Sequence, residues 1–223
     1  MNTKFTSAGL TAGQLNAIVK KLGGHDSALR FLRGELTVSE PTRSWREEDG
    51  VIYFSVTSDG TTGEEWIKRL ESNGFRIGNH ARQILRSLDF KPTNGVTTEV
   101  AVLKDMLFKC NNRTTKKIRV EADKRKLEKP NAEVACLICE AFTDKEIKAM
   151  GLTLIVAMHK PINDSSDDPS LLGADRDSDG RWLNAYNGRP DFGWNSDDGF
   201  AFAVSQVRRD PSRKWTESYH PGP

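Results

Sequence analysis

No run of apolar residues in this chain approaches the length of about 20 needed to cross a bilayer as a helix, so no membrane-spanning segment is expected. The stretch from Met1 to Gly24 lacks the apolar centre of a secretory signal, and the expected location is cytoplasmic. Cysteine is scarce. Cys110, Cys136 and Cys139 make an odd count, which suits free thiols better than a disulfide framework. An excess of one charge sign is lacking too. The net charge is +2, so no global field commits the chain to nucleic acid or to a membrane surface. No repeat of fixed period occurs, and no complete catalytic signature is legible.

What is present suits a globular chain. Its 223 residues are enough to bury a core, and 36% hydrophobic with 29% charged residues gives a well-solvated surface. Residues 10–36 read as a helical hairpin. Thr11 with Gln14 forms a capping box, Leu15, Ile18, Val19 and Leu22 follow helical spacing, and Gly23-Gly24 stops the first helix. Asp26 caps a second helix carrying Ala28, Leu29 and Leu32, which Gly34 ends. Pro41 to Gly50 reads as a polar connector. Val51–Thr57 is β-branched and aromatic and reads as a strand. A helix follows with both ends marked, by Thr62 with Glu65 and by Gly74. Asn79 is expected to cap the next helix, with Ala81, Ile84, Leu85 and Leu88 as its stripe, and Val96–Lys104 to form a second strand.

Residues 113–128 read as a basic helix, Pro130-Asn131 as its break, and Thr143 with Glu146 as the cap of a short helix. Leu152–Met158 reads as a buried strand, 162–180 as an acidic loop, and 181–186 and 200–207 as short strands. The fold class expected is α+β: an N-terminal helical hairpin (1–40), a small mixed α/β unit (41–110), a C-terminal β-rich α+β unit (111–207) and a flexible tail (208–223).

Several patterns could carry chemistry. Asp175, Asp177, Asp179 and Gly180 match the first half of a calcium loop, which sets carboxylates at alternate positions around a hard cation. The bidentate acid that closes such a loop is replaced by Tyr186, so an ordinary acidic turn is the competing reading. The same aspartates with His159 could serve a metal-assisted hydrolase or nuclease. Cys136 and Cys139 have the spacing of redox and zinc sites but fall inside a helix. Lys116, Lys117, Arg119, Lys124 and Arg125 could contact phosphates; the alternative is a solvated helix face. From 181 to 204, aromatic residues alternate with Asn, Asp and Gly. Trp182, Phe200 and Phe202 read as strand core, whereas Tyr186, Arg189, Trp194 and Asn195 lie in or beside a turn where they could face a ligand.

The segments Leu22-Gly23-Gly24, Ala28–Leu36, Trp45–Thr57, Pro130–Val134, Ile155–Ile162 and Gly180–Leu183 carry a resemblance to a bacterial family that occurs as many paralogous copies in small-genome, uncultivated lineages. No function is attached to that family, so the resemblance implies neither activity nor site residues. Its members differ around the acidic loop. Pro190–Trp194 followed by Gly199–Phe202 is similar to the end of C-type-lectin-like and formylglycine-generating-type domains, which implies a ligand-displaying loop before the last strand. Together these features predict a soluble, non-catalytic binding protein. Its expected partner is another protein or a second copy, captured by the aromatic turn at 186–195.

Overall fold

Thr11 opens a helix with the capping box read from its letters: Thr11 Oγ1 accepts from Gln14 N–H at 3.3 Å, and Gln14 Oε1 accepts from Thr11 N–H at 2.8 Å. The structure, a computed structural model, describes residues 11–22, 24–36, 44–108, 113–177 and 180–205. It divides into a unit up to Ser44 and a unit from Trp45 onward. In the first, α1 (Ala12–Lys21) and α2 (His25–Leu32) form the expected hairpin. Ala28 is the one buried residue among those described there, and Leu15, Ile18, Leu29 and Leu32 are exposed. The tail expected at 208–223 lies outside the described residues.

The second unit is built on one mixed sheet of ten strands. Its strands are β1 (Arg46–Glu48), β2 (Val51–Asp59), β3 (Phe75–Ile77), β4 (Asn94–Leu103), β5 (Leu127–Glu128), β6 (Leu154–Ala157), β7 (Ile162–Asn163), β8 (Pro169–Asp177), β9 (Gly180–Asn187) and β10 (Asp198–Val204). The main order is β1-β2-β4-β10-β6-β8-β9-β3; β5 pairs with β10 and β7 with β8. The units expected at 41–110 and 111–207 therefore share one sheet, because β10 lies between β4 (antiparallel) and β6 (parallel). The helices are α3 (Gly63–Ser72), α4 (Asn79–Arg86), α5 (Thr115–Lys124), α6 (Val134–Ala141) and α7 (Asp144–Ala149).

Period-two alternation places side chains on both faces of the sheet. Ile52, Phe54, Val100, Val102, Ile155, Leu172 and Ala201 face one core, which α3, α4, α6 and α7 complete with Trp66, Leu70, Ile84, Ile138 and Ile147. Val51, Ala101, Leu103, Val156, Leu171, Phe200 and Phe202 face a second core, closed by Ile118 and Ala122 of α5 and by Trp194. Each large side chain buried this way contributes about 1.5–3 kcal/mol, so covering both faces holds the layers together.

Three local expectations need correction. The connector at 41–50 contains β1, joined to β2 by Asp49 (φ 48°) and Gly50 (φ 75°), the left-handed pair of a tight hairpin turn. The acidic loop at 162–180 is mostly strand: β8 pairs with β6 and β9, which removes its backbone polar groups from water. Gly78, not Asn79, caps α4, and Leu88 is exposed because that helix ends at Arg86.

Candidate binding site

The aromatic turn faces inward. Trp194 is only 6% exposed and meets Phe192, Phe200 and Tyr186 at ring-centroid distances of 4.9, 5.7 and 6.0 Å. Its Nε1–H donates to the buried Thr115 Oγ1 at 3.0 Å. Half-buried Tyr186 donates its hydroxyl to Asp175 Oδ2 at 2.7 Å, and burial raises its pKa. Arg189 and Asn195 are exposed; Arg189 pairs with Asp168 at 2.5 Å, and Asn195 N–H donates to Asp198 at 2.7 Å. The expected ring patch is thus corrected. No Phe, Tyr or Trp among the described residues of this unit is exposed, because the rings gain more by covering the sheet than by facing water.

The turn instead holds α5. Thr114, at its N-cap, makes no side-chain cap. The first N–H groups find backbone carbonyls: Thr115 donates to Phe192 O at 3.0 Å and Lys116 to Pro190 O at 2.8 Å. Trp194 N–H donates to Arg113 O at 3.0 Å, and buried Arg113 returns Nε–H to Trp194 O at 3.2 Å while ion-pairing with Asp105.

Asp175 and Asp177 belong to the β8–β9 hairpin, where Asp175 accepts from Tyr186 and Asn184, and Asp177 accepts from Trp182 Nε1 at 3.2 Å. Asp179 lies outside the described residues. Among the described residues, no three His, Cys, Asp or Glu side chains group as metal ligands. Cys136 and Cys139 are buried free thiols whose pKa burial pushes upward, opposite to what a reactive thiolate needs. Cys110 lies outside the described residues.

His159 is 1% exposed, and both ring nitrogens are bonded within the protein: Nδ1 to Lys160 O at 2.6 Å, and Nε2 to Leu172 N–H at 3.0 Å. An acceptor role for Nε2 leaves the proton on Nδ1 and no free base for the hydrolase reading. Burial lowers the His159 pKa to about 4, with Arg119 also disfavouring the cation. Stability is therefore lost as pH falls from the unfolded value of about 6.5 through about 4. Asp198 opposes this. Burial raises its pKa to about 6, so its contribution is present at low pH and lost as pH rises from about 4 through 6. Glu133, raised by burial, acts alike in any variant that retains it. Between pH 7 and 5, Asp198→Asn is expected to lose about 1.3 kcal/mol more unfolding free energy than the natural chain does, read from urea melts at each pH. Equal losses would show that Asp198 does not retain its proton in the fold.

The basic helix is where the surface opens. Lys116, Lys117, Lys124 and Arg125 are exposed, while Arg119 is half-buried. Glu121 takes Lys124 at 3.2 Å and Arg125 at 3.0 Å, so those two cations are already answered. Lys116 and Lys117 pair with no acid among the described residues. A groove of about 820 Å³ runs on one side of α5, between Lys117, Val120 and Lys124 and the apolar Leu107, Phe108 and Pro190. A second groove, of about 620 Å³, runs on the other side, between Lys116, Arg119 and Lys129 and a wall that includes Pro161, Pro169 and Pro190. Val120 and Lys116 stand on the ridge between them, and Val120 is 45% exposed. The cations were legible as letters. The apolar walls were not, since they come from segments far apart in the chain.

No protein-family model matches this chain, and neither a curated protein nor a solved structure matches it.

Proposed function

We propose that this chain is a non-catalytic protein-interaction module whose α5 face receives an acidic segment of a partner protein, with apolar side chains of that segment filling the grooves. One observation carries the reading: two grooves with apolar walls flank a ridge at Lys116 and Val120, and Lys116 and its neighbour Lys117 have no acidic partner among the described residues. Burial of apolar side chains supplies affinity there, and lysine rims select an acidic sequence and speed its encounter. The location differs from the aromatic turn first expected. The turn contributes the groove wall at Pro190 and Asp191 rather than rings.

Nucleic acid is the competing ligand for these lysines. Glu121 and Asp191 line the larger groove and would repel phosphates, and no exposed ring among the described residues of this unit offers a base a stacking platform. A mixed-charge peptide tolerates both features. No helix among the described residues is long and apolar enough to cross a membrane.

The test uses an amidated peptide of about 16 residues alternating Leu and Glu, with single-stranded oligo-dT of similar length beside it, both followed by fluorescence anisotropy. The double variant Lys116→Glu/Lys117→Glu is expected to bind the peptide at least tenfold more weakly, about 1.4 kcal/mol or more. Val120→Glu is expected to do the same while leaving thermal stability within about 0.5 kcal/mol, as suits an exposed ridge residue. Tighter binding of oligo-dT, falling steeply with salt, would replace this reading with a nucleic-acid one. Binding of neither probe would remove the α5 face as a docking surface.

A further inference from the structure

The smaller groove holds a cationic centre with no acid in its lining. Lys116, Arg119 and Lys129 contribute charge, Thr115 a hydroxyl, and Val120, Gly188 and the prolines the remaining walls. Arg119 is the fixed member. It donates Nη1–H to Met158 O at 3.3 Å and Nη2–H to His159 O at 3.0 Å, just past the end of β6. Those carbonyls hold the guanidinium in one orientation and leave its other N–H groups without partners among the described residues.

A half-buried cation bonded only to neutral carbonyls has lost part of its hydration without gaining a counter-charge in contact. Burial accordingly lowers the Arg119 pKa below the ordinary arginine value, and Asp123 offsets this only in part. Half-buried Arg69 meets Asp59 and Glu140, and buried Arg113 meets Asp105; half-buried Arg176 has no carboxylate among the described residues, but it does not line this groove. The missing anion, the rigid guanidinium and the adjoining apolar walls occur at one place.

We infer that Arg119, flanked by Lys116 and Lys129, is the anchor for an oxyanion of the docked segment, supplied by a carboxylate or by a phosphate monoester. This rests on the α5 docking face proposed above and names the group that fixes its register. A guanidinium presents parallel N–H donors that match the two oxygens of either group, and the flanking lysines add charge from the rim. Because the guanidinium is held before the ligand arrives, little side-chain freedom is lost on binding. The prolines place apolar surface beside the anion, which excludes water and strengthens the pair.

Selective ¹⁵N labelling of arginine lets the Arg119 Nε–H resonance report on this directly. Acetate and inorganic phosphate are titrated separately at constant ionic strength, with chloride as the reference salt. The expected result is a saturable shift of the Arg119 resonance with a millimolar dissociation constant, while exposed Arg86 moves no more than it does in chloride. The tighter of the two anions identifies the source. Lys129→Gln, which alters only the rim, is expected to weaken that binding about fivefold. Arg119 shifts that stay linear in concentration, or that match those of Arg86, mark non-specific ion association and overturn the anchor. Peptide binding that leaves the Arg119 resonance in place also removes the anchor but spares the docking face. A saturable anion shift without peptide binding removes the docking face and spares the anchor.

Discussion

Alanine at Gly63 is expected to unfold this protein or to lower its stability by about 3 kcal/mol or more. Gly63 is buried and opens α3, where a Cβ would lie 1.7 Å from the backbone oxygen of Leu85 and 2.6 Å from its carbonyl carbon. Neither atom belongs to a flexible side chain, so the overlap is relieved only by moving α4 away from α3. That movement would pull Ile84 and Leu85 off Trp66, Ile67 and Leu70 and open the larger core. The glycine is needed for space, not for an unusual backbone angle. Gly193→Ala is the matched control, since nothing lies within 4 Å of its added Cβ. With a urea slope of about 2 kcal/mol per molar, the Gly63 variant should melt about 1.5 M or more earlier, and the Gly193 variant within about 0.3 M of the natural chain. A Gly63 variant with an unchanged midpoint would mean that the two helices do not meet in solution as they do here.

Replacing Trp194 by Ala carries the second large effect, about 3–5 kcal/mol. The ring stands among Phe192, Phe200 and Tyr186, and its Nε1–H satisfies Thr115 Oγ1 at a residue only 1% exposed. Its removal leaves a cavity and an unpaired hydroxyl next to the first turn of α5. Trp194→Phe retains the ring contacts and loses the hydrogen bond, so an intermediate loss of about 1–2 kcal/mol is expected. Amide hydrogen exchange at Ile118 should accelerate in step with these losses, because its N–H bonds to Thr114 O in the turn that Trp194 secures. Should Trp194→Ala keep full stability while losing peptide binding, the ring would have to be a ligand contact, and the outward-facing aromatic patch would return.

Where a helix carries its own end markers, the letters suffice. Thr62 with Glu65 and Gly74 at φ +81° bound α3 because capping is a local exchange of hydrogen bonds. Thr143 with Glu146 did the same for α7. β8 was hidden because its flanking acids and Gly173 look like a loop. Only pairing with β6 and β9 makes it a strand, and the Tyr186 ring, 3.0 Å from where a Cβ on Gly173 would lie, covers the glycine. Asp49-Gly50 was a usable hairpin signal whose first strand is too short and too charged to show periodicity.

For the site, burial decided what composition could not. An aromatic residue beside Asn, Asp and Gly reads the same whether the turn displays it or tucks it under a neighbouring helix. Trp194 was settled by α5, which approaches from residue 115. The lysine row was legible, but the distinction between answered and unanswered cations depends on which of them Glu121 reaches. Arg119 was legible only as one cation of the basic row; what sets it apart comes from two carbonyls at 158 and 159 and from prolines at 161, 169 and 190.

The place of β10 in the sheet also governs how this chain can be made. Its neighbours β4 and β6 are synthesised earlier, and each must wait with an open edge until residues 198–204 have left the ribosome. Both cores include residues of that strand, Ala201 in one and Phe200 with Phe202 in the other. A nascent chain that stops short of it cannot close either layer, so folding is completed after translation has passed residue 204, and products truncated before that point are candidates for chaperone capture and proteolysis.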